Sequence, residues 1–194
     1  MRTINIRGIE LIKAFEKCKL KSYHGAADAP GIYTIGWGHV ITGHEQHTHG
    51  FDLFRPGQMM RDVAITQQIA DDLLKLDIEK TIKVLTMKIK KEQLETLNED
   101  QFAALVSIVY NVGVGAFVRQ STFMKLLAAG ASMEKIANLG FKGWVYAGGR
   151  PVNGLIIRRA AEKALFLGDY GPMQQFMERR TNLVTTAKRY LGRR

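Results

Sequence analysis

One cysteine, Cys18, is all that the chain contains. A lone thiol closes no internal disulfide, so the fold cannot rely on cross-links and needs no oxidising compartment. Proline is nearly as scarce, with 4 in 194 residues, which excludes a polyproline or collagen-like chain. No run of about 18 apolar residues occurs, so no transmembrane helix is expected. The opening segment MRTINIRGIELIKAFEKCKL also lacks the unbroken apolar stretch of a signal peptide, because Arg2, Arg7, Glu10 and Lys13 interrupt it. The expectation is a protein held in the cytoplasm, needing a separate pore-former if its substrate lies outside. Acidic residues are short as well: 18 Asp+Glu against 28 Lys+Arg leave a net charge of +10. That excess points to a polyanionic partner, whether nucleic acid, anionic membrane surface or acidic cell-wall polymer.

What is present suits a globular protein. Hydrophobic residues at 46% and charged residues at 24% allow one domain with a real core, and no repeat of solenoid length appears. Residues 5–18 are expected to form a helix with Ile9, Ile12 and Phe15 on one face. From Ser22 to Ile41 short β-prone pieces broken by glycine, notably GIYTIGWGHVI, predict a hairpin or small sheet. Residues 43–61 have no period and read as a loop. Helices follow: 66–85 with Thr66 as N-cap, an almost wholly apolar one opening at the Asn98 cap, then 121–129, 132–139, 154–167 and 172–191. The fold class is α+β, mostly helical, with a small N-terminal sheet lobe (about 1–65), a larger helical lobe (about 66–171) and a basic amphipathic C-terminal helix (about 172–194). An active-site cleft between the two lobes is the expected ligand site.

Glu16 is the most informative residue. It follows Ile9 and Ile12 at helical spacing, and a carboxyl at the end of an apolar stripe is partly desolvated, which raises its pKa and suits a general acid. Periodicity leaves the plain alternative open, that the side chain points into water.

The segment after it carries a resemblance. The run FEKCKLKSYHGAADAPGIYTIGWGHV resembles the catalytic segment of the phage-type lysozymes, the endolysins of glycoside hydrolase family 24. That family places a glutamate at the end of its first helix, an aspartate in a turn, and a threonine in a strand written T-I-G-x-G-H. Here the strand reads Thr34-Ile35-Gly36-Trp37-Gly38-His39, the glutamate falls on Glu16, and Asp28 lies six residues before Thr34. The Glu16–Asp28 spacing is three residues longer than in the best-known members. The extra length is placed in HGAADAPG, where an insertion is cheap; an ungapped alignment would put Gly25 in the aspartate's place. Asp52 and Asp62 rank below Asp28. Residues 102–118 and the block GWVYAGGRPVNGLIIRRAAEKALFL (143–167) resemble later family segments, so the likeness covers most of 5–167.

The resemblance implies a muramidase acting on peptidoglycan, without cofactor or metal and as a monomer. Glu16 would protonate the glycosidic oxygen, and Asp28 and Thr34 would position and activate water. Tyr110 and Asn111 would hydrogen-bond sugar, with a capping or core role as the open alternative. Trp144 and Tyr146 are expected to pack rather than stack on sugar, and Arg158, Arg159 and Glu162 to form a structural ion-pair network. Two rivals remain. A zinc-dependent peptidoglycan amidase would use His44, His47 and His49, but no H-E-x-x-H helix and no cysteine joins them. A nucleic-acid binder would explain the charge, but no recognition motif stands out.

The tail has two readings. Phe176, Leu183 and Tyr190 are seven apart, as are Met177, Val184 and Leu191, with Arg179, Arg180, Lys188, Arg189, Arg193 and Arg194 beside them. Either one last helix docks on the domain with its charges in water, or a basic amphipathic end meets anionic outer-membrane lipid.

Overall fold

The computed structural model describes residues 2–25, 30–41, 58–178 and 183–192. Two compact units divide the chain: a helical unit, Met1–Phe15 with Ile78–Arg194, and a sheet unit, Glu16–Asp77.

The sheet unit holds three antiparallel strands in the order β1 (Lys19–Tyr23), β2 (Tyr33–Gly36) and β3 (His39–Ile41). β2 and β3 pair Tyr33 with Ile41, Thr34 with Val40 and Ile35 with His39. Alternation along these strands buries Ile35 and Ile41, which meet Val63 and Leu73 in a small core. A 3-10 turn, Met60–Asp62, lies beside β1, and Ser22 N–H donates to the Val63 carbonyl. The strand β1 begins at Lys19, earlier than the β-prone segment from Ser22 suggested.

α1 (Ile6–Phe15) opens the helical unit, and its buried residues are Gly8, Leu11, Ile12 and Phe15. It stops before Glu16, which stands in a bend rather than on the helix face that periodicity gave it. α2 (Gln67–Lys88) supplies its first half to the sheet unit and its second half to the helical unit. Thr66 Oγ1 accepts from Ile69 N–H at its start, the cap read from sequence. Its buried face is Ala70, Leu73, Leu74, Ile78, Ile82 and Leu85, while Ile69 and Leu76 are only half-buried.

After the short α3 (Lys91–Glu95) comes the central helix α4 (Glu99–Val112). Asn98 and Gln101 form a reciprocal capping box at its start. Phe102 through Val109 are all buried, and burying each large apolar side chain contributes about 1.5–3 kcal/mol. α5 (Val114–Gln120), α6 (Thr122–Ala128) and α7 (Met133–Gly140) follow. The rings of Phe141 and Phe166 meet Phe123 edge-on, each with centroids 5.6 Å away. Trp144 stacks on Phe117 at 5.9 Å, as packing predicts, whereas Tyr146 is exposed.

The YAGGRP break is a two-stranded hairpin, β4 (Tyr146–Ala147) with β5 (Arg150–Pro151). Gly148 and Gly149 both have positive φ, the conformation a two-residue hairpin loop demands. α8 (Asn153–Leu167) packs against α4. The tail then forms two helices, α9 (Tyr170–Met177) and α10 (Val184–Gly192), not one; Glu178 already caps α9. Both pack on α8. Phe176, Tyr190 and Leu191 are buried, so the apolar seam faces inward. Among the described residues no single helix is long and apolar enough to cross a membrane.

Candidate active site

Glu16 stands one residue past α1, half-buried, where the chain leaves the helix for β1. Opposite it is the β2–β3 turn. A Cβ built on Gly38 would lie 3.6 Å from Glu16 Oε2, so the turn's backbone passes directly by the carboxylate. Gly38 has φ +100, a conformation that side-chain-bearing residues rarely adopt. Glu16 and the T-I-G-W-G-H segment are therefore brought together within one unit.

Thr34 sits in β2, buried, opposite Val40 and Tyr23. Ile35 enters the core of the sheet unit. Trp37 Nε1 donates to Asp71 Oδ1 at 2.7 Å. His39 Nδ1 lies 2.7 Å from Asp77 Oδ2, with the imidazole almost fully buried. Two carboxylates of α2 thus hold the turn from either side of Gly38. Sequence reading missed Asp71 and Asp77. Their signal was present only as acids on a helix that otherwise reads as an ordinary exposed face.

Asp28 lies outside the described residues. On either side of it in sequence, His24 Nδ1 meets the Ile32 carbonyl at 2.8 Å, and the His24 and Tyr33 rings are 6.0 Å apart. His44, His47, His49 and Asp52 also lie outside them. Among the described residues no group of three or more potential metal ligands forms. Asp62 is exposed, in the 3-10 turn, 3.6 Å from Arg61 Nε.

In the helical unit, Tyr110 and Asn111 occupy the last turn of α4, half-buried and exposed respectively. Arg159 Nη2 donates to Asn111 Oδ1 at 2.9 Å, which fixes the amide's orientation and leaves Nδ2 as a donor. The same guanidinium reaches Glu162, with Nε 2.6 Å from Oε2. Arg158 Nε and Ser107 Oγ donate to Glu162 Oε1 at 3.2 and 2.8 Å. Glu162 and Arg159 are fully buried; this is the ion-pair network expected from their spacing, and it ends on Asn111.

A mostly helical chain with a small antiparallel sheet and a glutamate held against a glycine turn is the architecture of a lysozyme. It superposes on the muramidase domain of SpmX from Asticaccaulis excentricus with a TM-score of 0.66 at 26% identity, covering 86% of this chain and 99% of that one. The phage lysozyme family model matches residues 13–162, and the chain belongs to that family. It is 37% identical over 163 residues to the endolysin of Bacillus phage PZA, covering 84% of this chain and 54% of that protein, so it spans about half that relative's length. It is 36% identical over 170 residues to the endolysin of Acyrthosiphon pisum secondary endosymbiont phage 1, covering 84% of this chain and 97% of the relative.

Proposed function

We propose that the chain is an endolysin: a single lysozyme-like catalytic domain, acting as a monomer, that hydrolyses the bond between N-acetylmuramic acid and N-acetylglucosamine in peptidoglycan. The observation that carries this reading is the Glu16 carboxylate against Gly38 in a chain of the phage lysozyme family.

Glycoside hydrolysis needs one protonated and one ionised carboxyl across the scissile bond. Glu16 gives its proton to the departing oxygen. Asp28 remains ionised, stabilises positive charge growing on the sugar ring, and with the Thr34 hydroxyl orients the attacking water. Water as nucleophile inverts the anomeric centre. Tyr110 and the Asn111 Nδ2 donor hold sugar hydroxyl or acetamido groups. The enzyme waits in the host cytoplasm until a separate pore-forming protein admits it to the wall, and contact of its C-terminal segment with anionic lipid belongs to the same reading.

Mass spectrometry of digested peptidoglycan tests the assignment. Fragments ending in reducing N-acetylmuramic acid are expected. Cyclised anhydro ends would make it a transglycosylase, and freed stem peptides an amidase; either result overturns the assignment.

A further inference from the structure

The family-matched region ends at residue 162, and α10 begins at Val184. Where α10 meets the β4–β5 hairpin, a pocket of about 380 Å³ opens. That volume lies at the lower end of the range, about 300–1,000 Å³, that holds small ligands. Its lining combines the largely apolar Val145, Tyr146, Pro151, Ile156 and Leu191 with two basic residues, Lys142 and Lys188. Among the described residues no carboxylate lines it. Among the described residues neither lysine has an acidic partner.

The two halves of this lining select together. An apolar lining alone accepts any greasy group, and two ammonium groups alone accept any anion. Combined, they fit a ligand with an apolar body and one anionic group. A polar stem peptide or glycan gains little from Val145, Ile156 and Leu191, and a long polyanion has no use for a pocket. The apolar face of α10 itself is spent on packing, with Ala187, Tyr190 and Leu191 buried, so the helix has no free face to insert into a bilayer.

We propose that this pocket binds a single anionic phospholipid, its phosphate between Lys142 and Lys188 and the first part of one acyl chain over Val145, Ile156 and Leu191. The tail then meets a membrane by capturing a lipid, while staying folded on α8. This proposal rests on the lipid contact included in the proposed function and gives it a site; it does not depend on the hydrolytic chemistry.

The test uses the full chain and a short-chain phosphatidylglycerol below its micellar concentration, with short-chain phosphatidylcholine as the control, read by calorimetry and by NMR shifts of the pocket residues. Saturable binding of the anionic lipid, with shifts at Val145, Ile156 and Leu191, is expected. Lys142→Gln with Lys188→Gln should weaken it about tenfold or more. Gly192→Phe is the decisive variant. Gly192 lines the pocket, and a Cβ there meets nothing within 4 Å, so a phenylalanine is accommodated beside the pocket without changing charge, and binding should be lost. Thermal unfolding checks that each variant is folded, and digestion of exposed peptidoglycan should be unchanged. Lipid binding that survives Gly192→Phe, or that depends only on charge, overturns the proposal. So does a muropeptide that shifts the same residues in place of lipid, or a folded variant that loses digestion.

Discussion

The hydroxyl of Tyr170 donates to Asp100 Oδ2 at 2.6 Å, tying the first residue of α9 to the first turn of α4. Asn5 Nδ2 and Arg7 Nε donate to the other carboxylate oxygen at 2.7 and 2.9 Å, so α1 joins the same point. Burial pushes the Asp100 carboxyl up, but hydrogen bonds from Arg7, Tyr170 and Asn5 outweigh it and hold it below the usual carboxylate range. The Asp100 hydrogen bond in turn raises the Tyr170 phenol above its ordinary value.

A pH dependence of stability follows from these two shifts. A carboxyl lowered on folding stabilises fully above its unfolded pKa, and that contribution disappears as pH falls through the folded value. A phenol raised on folding stabilises fully below its unfolded pKa of about 10, and that contribution disappears as pH rises through the folded value. Thermal unfolding across pH should therefore lose stability at both ends. Asp100→Asn should lower Tm by a few degrees at neutral pH and flatten both limbs; limbs identical to the parent's would show that the cluster contributes nothing.

Glu16→Gln keeps shape and hydrogen-bonding capacity but removes the transferable proton. Turnover should fall on the order of a hundredfold or more with Tm unchanged. Gly38→Ala forces a side chain into the left-handed region at a cost of about 1–2 kcal/mol and places a methyl group in contact with the Glu16 carboxylate, 3.6 Å from Oε2. It should lower kcat well beyond what its stability loss explains. Full kcat in folded Glu16→Gln protein would remove the acid assignment.

Asp28→Asn should lower kcat far more than it raises KM, because its charge is needed as the transition state forms. Asp52→Asn and Asp62→Asn should be near normal. Activity measured on exposed peptidoglycan decides among the three; an inactive Asp52→Asn or Asp62→Asn beside an active Asp28→Asn would move the second carboxylate elsewhere.

Glu162→Ala leaves Arg158 and Arg159 buried without their shared carboxylate, and such a loss costs about 3–5 kcal/mol. Chemical denaturation should show this, and adding Arg159→Met should recover part of it. A neutral Glu162→Ala would mean that the two guanidiniums find other partners.

Asp77→Ala removes the carboxylate facing His39 and should cost about 1.5–3 kcal/mol in urea unfolding. Because Asp77 and Asp71 both hold the β2–β3 turn, the variant should also lower activity before it unfolds.

Local chemistry was legible in the sequence. Thr66 and Asn98 announced helix starts because a cap and the N–H groups it satisfies lie within three residues of each other. The apolar run of α4 announced a central helix, and the T-I-G-W-G-H segment lay where the sheet forms. Long-range pairings left no such trace. Trp37 and His39 meet acids 34 and 38 residues away, and periodicity describes one element at a time. The Gly148–Gly149 hairpin was readable in principle, since two consecutive glycines between short strands are a turn signal, but the strands are too short to alternate. The seam of the tail repeats every seven residues whether one helix or two carries it, so spacing alone did not reveal the division between α9 and α10.

Lys163 is the first residue beyond the family-matched segment. It is buried, and Nζ donates to Asn138 Oδ1 at 2.9 Å and to the Tyr190 carbonyl at 2.8 Å. A backbone carbonyl of α10 therefore helps to solvate a cation in the interior. The C-terminal segment is in this respect not a detachable module: a chimera that replaced everything after α8 with another protein's ending would take the Tyr190 carbonyl away from a buried ammonium group, unless the residue at 163 were exchanged along with it.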